Sequence, residues 1–162
     1  MKFEVKLTVK ELWQFSMYHA NGGATGLFNL IFTVAALFLL IFRWGSLTPA
    51  YRLLLFACVL IFTVLQPLLL YSKVRKQAKT PAMAEPMYLT FEEEGLKVEQ
   101  NGQEAAFAWE QMGRMDKKPT LIVLYMDRIH AYLLPRKLLG DQEEDFFAMV
   151  KNHLPKEKRR GF

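Results

Sequence analysis

Side chains able to carry out acid–base, nucleophilic or metal chemistry are few and widely separated in this sequence. No histidine stands at metal-ligand spacing from another histidine, a cysteine or a pair of carboxylates. The only cysteine, Cys58, lies inside an apolar run, where its thiol stays protonated and is a poor nucleophile. No serine has the glycine-flanked context of a hydrolase nucleophile, and no glycine-rich phosphate loop is present. We therefore predict a protein that is not an enzyme, with no metal and no cofactor.

The charged residues are distributed unevenly along the chain. The 31 residues between Glu11 and Arg43, and the 20 between Arg52 and Lys73, contain no Asp, Glu, Lys or Arg. A soluble fold rarely contains two such stretches so close together, which argues against a purely soluble protein. The 13 Phe, 6 Tyr and 3 Trp exclude intrinsic disorder, and the single cysteine excludes a disulfide scaffold.

Two apolar segments have the length of membrane spans. Residues 26–42 and 53–71, with 17 and 19 residues, would form helices of roughly 26 and 28 Å, close to the hydrocarbon thickness of about 30 Å. The alternative, a pair of buried core helices, needs more apolar cover than the rest of the chain supplies. A signal peptide fits poorly, because the first run starts too far into the chain. Five aromatic residues near the ends of the spans are predicted to be membrane-interface anchors, namely Trp13, Tyr18, Trp44, Tyr51 and Tyr71.

A connection of about eight residues, 43–50, joins the two spans and predicts an antiparallel transmembrane hairpin over 26–71. Both ends of the hairpin then lie on one side of the membrane, and more basic residues flank those ends than lie in the loop. The positive-inside rule places both termini in the cytoplasm, although the loop arginines leave the reverse orientation open. The flanking basic residues are Lys6, Lys10, Lys73, Arg75, Lys76 and Lys79, and the loop residues are Arg43 and Arg52.

Residues 1–25 are predicted to form a strand and an interfacial helix. The alternation of apolar and polar residues from Phe3 to Thr8 is typical of a half-buried strand. Thr8 and Glu11 have the spacing of a capping box, and a helical apolar stripe follows them. A lone strand cannot satisfy its own backbone, so we expect it to pair with the domain after the hairpin. The alternative is a frayed N-terminus.

A basic juxtamembrane linker, 72–86, leads to a domain in which apolar and polar residues alternate with a period of two. Strands are predicted over 87–91, 96–100, 103–109, 121–126 and 129–134, with turns at 92–95, Asn101-Gly102 and Asp127-Arg128. An amphipathic helix with Asp141 as its N-cap follows the strands. This order predicts an α+β or small-barrel domain over 87–155, followed by a basic tail, 156–162.

Several apolar positions and turns carry a family resemblance over nearly the whole chain. They are Val5-Lys6-Leu7-Thr8 with Glu11 and Phe15, Leu89-Thr90-Phe91-x-Glu93-x-Gly95-Leu96, Trp109 with Met112, and Leu133-Leu134-Pro135-Arg136-Lys137 before a helix containing Phe146. With these features the chain resembles the YcxB-like family of small bacterial membrane proteins. The resemblance implies a location in the bacterial cytoplasmic membrane. It also implies a C-terminal domain similar to the pleckstrin-homology (PH) fold, a bent antiparallel sheet or partial barrel closed by one C-terminal helix. It implies no activity.

The charge pattern limits the partners. Residues 80–155 carry 8 basic and 13 acidic side chains, which excludes a basic nucleic-acid-binding face. Two basic clusters are predicted to contact lipid headgroups or a partner, although the first serves equally well as an orientation signal alone. These clusters are Lys73, Arg75, Lys76 and Lys79, and Arg114, Lys117 and Lys118.

We predict a non-enzymatic, membrane-anchored PH-like interaction module at the cytoplasmic membrane surface. Besides the lipid bilayer, its predicted partner is another protein or a second copy of the chain. The alternative is a lipid- or peptide-handling membrane protein, such as an immunity or stress factor against membrane-active peptides.

Overall fold

The computed structural model of the protein describes residues 1–127 and 130–162. They divide into two compact units, each described by itself. The first unit consists of Met1–Glu11 and Ala78–Phe162 and is called the sheet unit. The second consists of Leu12–Gln77 and is called the hairpin unit.

Helices make up the hairpin unit, and the first of them begins in the sheet unit. They are α1 (Val9–Ala20), α2 (Gly23–Phe42), α3 (Pro49–Leu60) and α4 (Gln66–Gln77), with a 3-10 turn at Trp44–Ser46 and a π turn at Ile61–Leu65. α3, the π turn and α4 form one continuous helix of 29 residues. α2 packs along it, with the rings of Phe32 and Phe62 5.9 Å apart. The basic segment that the sequence assigned to a linker therefore begins inside a helix, because α4 continues to Gln77.

The π turn has a local cause in the sequence. Pro67 has no amide hydrogen, so an α-helix through this point would leave a carbonyl one turn earlier without its donor. The amide of Gln66 donates five residues back, to the carbonyl of Ile61. The hydroxyl of Thr63 donates to the carbonyl of Val59 at 2.7 Å. One wide turn thus lets the helix pass the proline without breaking.

The first sheet of the sheet unit contains strands from both sides of the hairpin unit in sequence, one before it and three after it. Its order is β1 (Lys2–Val5), β2 (Met87–Phe91), β3 (Gly95–Gln100) and β4 (Gln103–Ala108), with all neighbours antiparallel. β1 pairs with β2 from Lys2↔Thr90 to Val5↔Met87. The predicted pairing of the N-terminal strand with the later domain is confirmed, although the strand is shorter than the predicted Phe3–Thr8.

Two tight turns set the register of this sheet. Asn101 and Gly102 have φ values of 53° and 71°, the positive values that a two-residue hairpin of the predicted type requires. At the other turn, Glu92 and Gly95 exchange backbone hydrogen bonds of 2.8 and 3.3 Å. A Cβ on Gly95 would lie 2.0 Å from the carbonyl oxygen of Phe107, so only glycine allows β3 and β4 to approach here.

The second sheet contains β5 (Arg114–Lys117), β6 (Leu121–Tyr125), β7 (Ala131–Pro135) and β8 (Arg159–Arg160), in the order β7-β6-β5-β8. β5, β6 and β7 are antiparallel neighbours, and β8 runs parallel to β5. Tyr125 pairs with Ala131, so the connection between β6 and β7 is longer than the predicted two-residue turn. Arg128 of that predicted turn lies outside the described residues, as does Ile129.

One helix closes the core of the sheet unit. Helix α6 (Glu143–His153) inserts Phe146, which is fully buried, between Phe3 and Phe91 at ring distances of 6.1 and 4.9 Å. The predicted N-cap, Asp141, is wrong. A 3-10 turn over Gly140–Gln142 precedes the helix, and Gln142 stands at the cap without a side-chain bond. The remaining short helices are α5 (Pro81–Ala84) and the 3-10 turns Trp109–Gln111, Arg136–Leu138 and Lys156–Lys158.

The predicted combination of apolar helices and an α+β domain is confirmed at this level. A helical part is followed by a strand-rich part with one C-terminal helix. The strands form two separate sheets, not one bent sheet, and they do not close into a barrel. The predicted strand 103–109 also ends earlier, because the chain turns at Trp109, whose ring is buried.

Candidate functional site

The two long helices of the hairpin unit leave their apolar side chains on the surface. Gly23–Phe42 and Pro49–Gln77 have mean hydropathy of 2.3 and 2.6 over their most apolar windows, and 11% and 0% of those windows is buried. Among the described residues, every exposed large hydrophobic side chain lies between Leu27 and Tyr71. Both helices are long and apolar enough to cross a membrane.

The predicted membrane-interface anchors fall into two groups. The indole nitrogen of Trp13 donates to the carbonyl of Pro67 at 3.1 Å, and its ring meets the edge of Tyr71 at 6.5 Å. Trp13 therefore holds α1 against α4 and does not point freely outward, while Tyr18 on the same helix is half-buried. Trp44 and Tyr51 are 54% and 60% exposed, near the turn between the two long helices.

Arg52 is positioned by that exposed tryptophan. Its guanidinium lies 4.6 Å from the centre of the Trp44 ring, within cation–π range. The pair places a positive charge and an amphipathic ring together at the same end of the two helices. This is the end opposite to the basic residues of α4, three of which (Lys73, Arg75 and Lys76) lie in its last two turns and are exposed. Lys79 follows the helix and is also exposed.

The second predicted cluster is organised around one buried carboxylate. Asp116 on β5 is 4% exposed, and its Oδ1 lies 2.7 Å from Nε of Arg114. Its Oδ2 lies 3.8 Å from Nζ of Lys118. Because β5 alternates its faces, Lys117 points the other way, with Nζ 3.9 Å from the centre of the Phe147 ring. The sequence identified these three cations but not the carboxylate that pairs with two of them.

An aromatic ring completes this group. The guanidinium of Arg114 stacks over Tyr125 on β6, 4.4 Å from the ring centre. Burial raises the pKa of Tyr125 above its ordinary value, and the charge of Asp116 adds to this, while Arg114 acts in the opposite direction. Arg114 thus contacts both a ring and a carboxylate, which leaves its side chain less freedom than a surface arginine usually has.

The C-terminal tail adds two more cations to the cluster. The sequence predicted only a basic tail after the domain, whereas in the structure β8 pairs with β5 and places Arg159 beside Met115 and Arg160 beside Asp116. Lys158 donates from Nζ to the carbonyls of Glu110 and Met112, both at 2.8 Å. We call Arg114, Lys117, Lys118, Arg159 and Arg160, with Asp116, the β5–β8 cluster.

The end of the chain fixes β8 in place. The ring of Phe162 meets the edge of Phe147 at 5.3 Å. Gly161 has a φ of 80°, and a Cβ there would lie 2.7 Å from the carbonyl oxygen of Lys117. An aromatic residue and a glycine after a charged run were the sequence signal that this tail docks.

The capping box at the start of α1 has an additional partner. The Thr8 amide donates to Oε2 of Glu11 at 2.8 Å, and the Glu11 amide donates to the Thr8 hydroxyl at 3.3 Å, as predicted. Nζ of Lys137 lies 2.7 Å from Oε1 of Glu11. Burial acts to raise the pKa of Glu11, but the hydrogen bonds from Lys137 and Thr8 outweigh it and lower that pKa. This pair joins the N-terminal segment to the turn after β7.

No group of three His, Cys, Asp or Glu side chains able to hold a metal occurs within residues 1–127 and 130–162. The nearest approach to a catalytic pair is His130, whose Nδ1 lies 2.7 Å from Oδ2 of Asp127. Both side chains are exposed, at 74% and 56%, and they stand at the tip of the β6–β7 connection. The pair is therefore largely surrounded by solvent.

Comparison with known proteins gives one family match, over part of the chain. Residues 91–151 match the family model described as YcxB-like protein. The matched segment runs from the last residue of β2 into α6 and contains Trp109 and the β5 part of the β5–β8 cluster. The resemblance stated from the sequence is confirmed over these residues. No curated protein and no solved structure matches the chain.

Proposed function

We propose that this YcxB-like protein is a non-enzymatic interaction module anchored in the cytoplasmic membrane of a bacterium. The hairpin unit crosses the membrane twice, and both termini lie in the cytoplasm. The sheet unit is a PH-like domain that docks a protein partner or a second copy of the chain at the membrane surface.

The pairing of β1 with β2 is the observation that carries this proposal. The chain segment before the two long helices and the segment after them share one sheet and one hydrophobic core. Both segments must therefore lie on the same side of any membrane that the helices cross. An even number of spans satisfies this requirement, and a single span does not.

The charge distribution supports the cytoplasmic assignment. Three basic residues in the last turns of α4 and Lys79 after it lie at the end of the helices that leads to the sheet unit. Only Arg43 and Arg52 lie near the opposite turn, and the guanidinium of Arg52 lies over the Trp44 ring. The larger positive charge is expected to stay inside.

The strand order supports a PH-like domain. Seven strands, β1 to β7, are connected to their sheet neighbours in antiparallel pairs, and a single helix, α6, then closes the core. This agrees with the architecture that the family resemblance implies, apart from the break between the two sheets and the additional parallel strand β8.

Cysteine labelling in intact cells tests the anchoring and the orientation. With Cys58 replaced by alanine, we expect Ser46→Cys to react with a membrane-impermeant maleimide from outside the cell. We expect Asn152→Cys, exposed on α6, to react only after lysis. Labelling of position 152 in intact cells, or of both positions alike, would contradict the proposal.

Photo-crosslinking in the native membrane tests the docking role. A photoreactive amino acid placed at exposed positions of the sheet unit, one position at a time, should give adducts of discrete mass at neighbouring positions. The same residue placed at lipid-facing positions of α2 serves as the control for non-specific capture. A sheet unit that gives no protein adduct at any position would rule docking out.

Contact with anionic lipid is a second candidate role, within the lipid-handling alternative. It is supported by the β5–β8 cluster, in which Arg114 and Lys118 pair with the buried Asp116 and Arg160 lies beside it, while Lys117 and Arg159 lie on the opposite face of β5 and β8. Each cation near an anionic surface contributes about 1 kcal/mol. Titration with a soluble anionic lipid, described in the Discussion, separates this role from protein docking.

A further inference from the structure

The strand β4 is an open edge of the first sheet. β3 lies on one side of it, and no strand of the described chain lies on the other. The two-residue turn Asn101-Gly102 makes Gln100↔Gln103 a hydrogen-bonded pair, so the bonded pairs continue at every second residue. The N–H and C=O groups of Glu104 and Ala106 therefore point away from β3. The amide of Ala108 also points outward, and Oε1 of Gln111 accepts it at 2.9 Å.

Apart from the charge of Glu104, features that usually protect an edge are missing from β4. The strand contains no lysine and no proline, and its register with β3 continues over six pairs without a bulge. Gln103 to Ala106 are exposed, and small side chains at positions 105, 106 and 108 leave the backbone accessible. An added strand could therefore approach β4 along its length.

The outer face beside this edge is acidic. Glu92 and Glu99 each pair with a lysine, at 2.6 Å to Lys97 and 3.9 Å to Lys2. In the described part of the chain, Glu94 and Glu104 have no such partner. The pKa of Lys97 is raised by its hydrogen bond with Glu92, and the charges of Glu94 and Glu104 raise it further. The excess negative charge along β3 and β4 favours a basic occupant.

The inner face beside the same edge is apolar and only partly covered. Ala105 is exposed although its cross-strand partner, Val98, is buried. Phe107 is half-buried and packs against the ring of Tyr132 at 6.0 Å. A side chain on the inner face of an added strand would lie over Ala105 and beside these two rings, where it would lose apolar contact with water.

We propose that β4 accepts an extended segment of a partner protein in which basic and apolar residues alternate. The segment would bond to the outward backbone groups of Glu104 and Ala106, place its basic side chains on the acidic outer face, and place its apolar side chains over Ala105 and Phe107. Alternation with period two follows from strand geometry. This inference rests on the proposed docking function and specifies the chemistry of the partner.

A second copy of the chain is the less suitable occupant. If two β4 strands paired around a two-fold axis, each would bring an acidic outer face against the other. The register that places Ala106 opposite its own counterpart sets Glu104 opposite Ala108, which forms no new ion pair. Charge complementarity therefore favours a basic segment over self-pairing.

The test uses the full chain in a non-ionic detergent and a fluorescent probe peptide. The probe alternates valine and lysine over about eight residues, within the usual length of a strand. One control peptide alternates valine and glutamate, and another carries methyl groups on alternate backbone nitrogens of the valine–lysine sequence. We expect binding of the first peptide, measured by fluorescence anisotropy, and no binding of the two controls.

Two variants locate the site. Ala106→Pro removes an outward N–H at a position where an edge strand tolerates proline, and should weaken binding about tenfold, whereas Ala106→Val keeps the N–H and should bind as the unmodified chain does. Glu104→Lys should weaken binding about threefold, whereas Glu85→Lys, outside the sheet, should not. If Ala106→Pro unfolds, as seen by circular dichroism, the backbone-methylated peptide decides the question.

Several results would overturn the inference. Equal binding to Ala106→Pro and the unmodified chain, or equal binding of the lysine and glutamate peptides, would do so. A dimer that Ala106→Pro dissociates, together with no peptide binding, would assign the edge to a second copy. If the peptide does not bind, but labelling places the sheet unit in the cytoplasm and crosslinking gives protein adducts away from β4, the proposed function stands and only this inference fails. Peptide binding with a sheet unit labelled from outside would overturn the proposed function and leave this inference standing.

Discussion

The sheet unit and the hairpin unit are both rich in large apolar residues, but they place them in opposite ways. In the sheet unit, Phe91 and Phe146 are fully buried and meet edge to face at 4.9 Å. In the hairpin unit, Phe28 and Phe42 are 63% and 69% exposed. Full burial of such a side chain is worth about 1.5–3 kcal/mol, so a surface row of them favours an apolar environment over water. The comparison shows that residue type alone does not identify a core.

Replacing one tryptophan in each unit should give the largest difference between the units in lost stability. Trp109 is 3% exposed, stacks on His153 at 5.0 Å, and donates to the carbonyls of Glu92 and Glu93 at 3.1 and 3.0 Å. Trp109→Ala should lower the free energy of unfolding of the sheet unit by about 3–5 kcal/mol. The matched variant in the hairpin unit, Trp44→Ala, loses a 54% exposed ring and should cost less than about 1 kcal/mol.

Denaturant titration of the full chain in detergent, followed by circular dichroism, measures both variants. Equal midpoints for the two would show that the ring of Trp109 does not hold its turn, its strand and α6 together.

Placing a lysine on the surface of each unit should give the next largest difference in free-energy cost. Val34 is 55% exposed in the middle of α2, and Val34→Lys should cost about 2.5–3.5 kcal/mol of membrane insertion. Asn152 is exposed on α6, and Asn152→Lys should change stability by less than about 0.5 kcal/mol. Extraction of membranes with alkaline carbonate should release a larger fraction of the first variant only. If both variants remained in the membrane alike, the exposed apolar surface of α2 would not face lipid.

Substitution of Glu11 tests how much its ion pair with Lys137 and its capping box stabilise the start of α1, the helix that begins in the sheet unit and continues into the hairpin unit. Glu11 is 7% exposed, and Glu11→Gln should cost about 1–2 kcal/mol, because it removes the charge that Lys137 and the capping box use. The pKa of Glu11 is lowered in the folded protein. Its contribution is therefore fully present above the ordinary value of 4.5, and is lost as the pH falls through the lower folded pKa.

Unfolding midpoints at neutral pH and below pH 4.5 measure this effect. The stability lost on acidification should be smaller in Glu11→Gln than in the unmodified chain. The control, Glu99→Gln, breaks an exposed pair of 3.9 Å and should cost less than about 0.5 kcal/mol. An unchanged acid dependence in Glu11→Gln would place the titrating group elsewhere.

The smallest expected effect concerns the β5–β8 cluster. Arg159→Gln or Arg160→Gln should each weaken binding of a soluble short-chain phosphatidylglycerol by about fivefold, which corresponds to about 1 kcal/mol per cation. Lys151→Gln, an exposed cation on α6 outside the cluster, should not. Thermophoresis of the full chain in non-ionic detergent measures the three affinities, and added salt should reduce the difference. If Lys151→Gln weakened lipid binding equally, the binding would depend on the net charge of the protein and not on the β5–β8 cluster.

The local features were predicted because they depend on residues close together in sequence. The lengths of the apolar runs, the Thr8–Glu11 capping box and the Asn101-Gly102 turn belong to this group, and the structure contains all of them. The docking of the tail was not predicted, because β8 pairs with a strand more than forty residues earlier in the chain. In the second span, Pro67 is a local sequence signal of a disturbed helix, but it does not specify the π turn over Ile61–Leu65 that forms before it.

By itself, the sequence determined that two apolar helices are joined by a short turn, and that an alternating, acidic domain follows them. Local backbone preferences and the spacing of apolar residues suffice for that. Only the tertiary structure decided that β2 is the partner of β1 and in which register, that Lys137 neutralises Glu11, and that β4 remains an open edge. These facts depend on contacts between distant residues, whose free energies exist only once both partners are held in place.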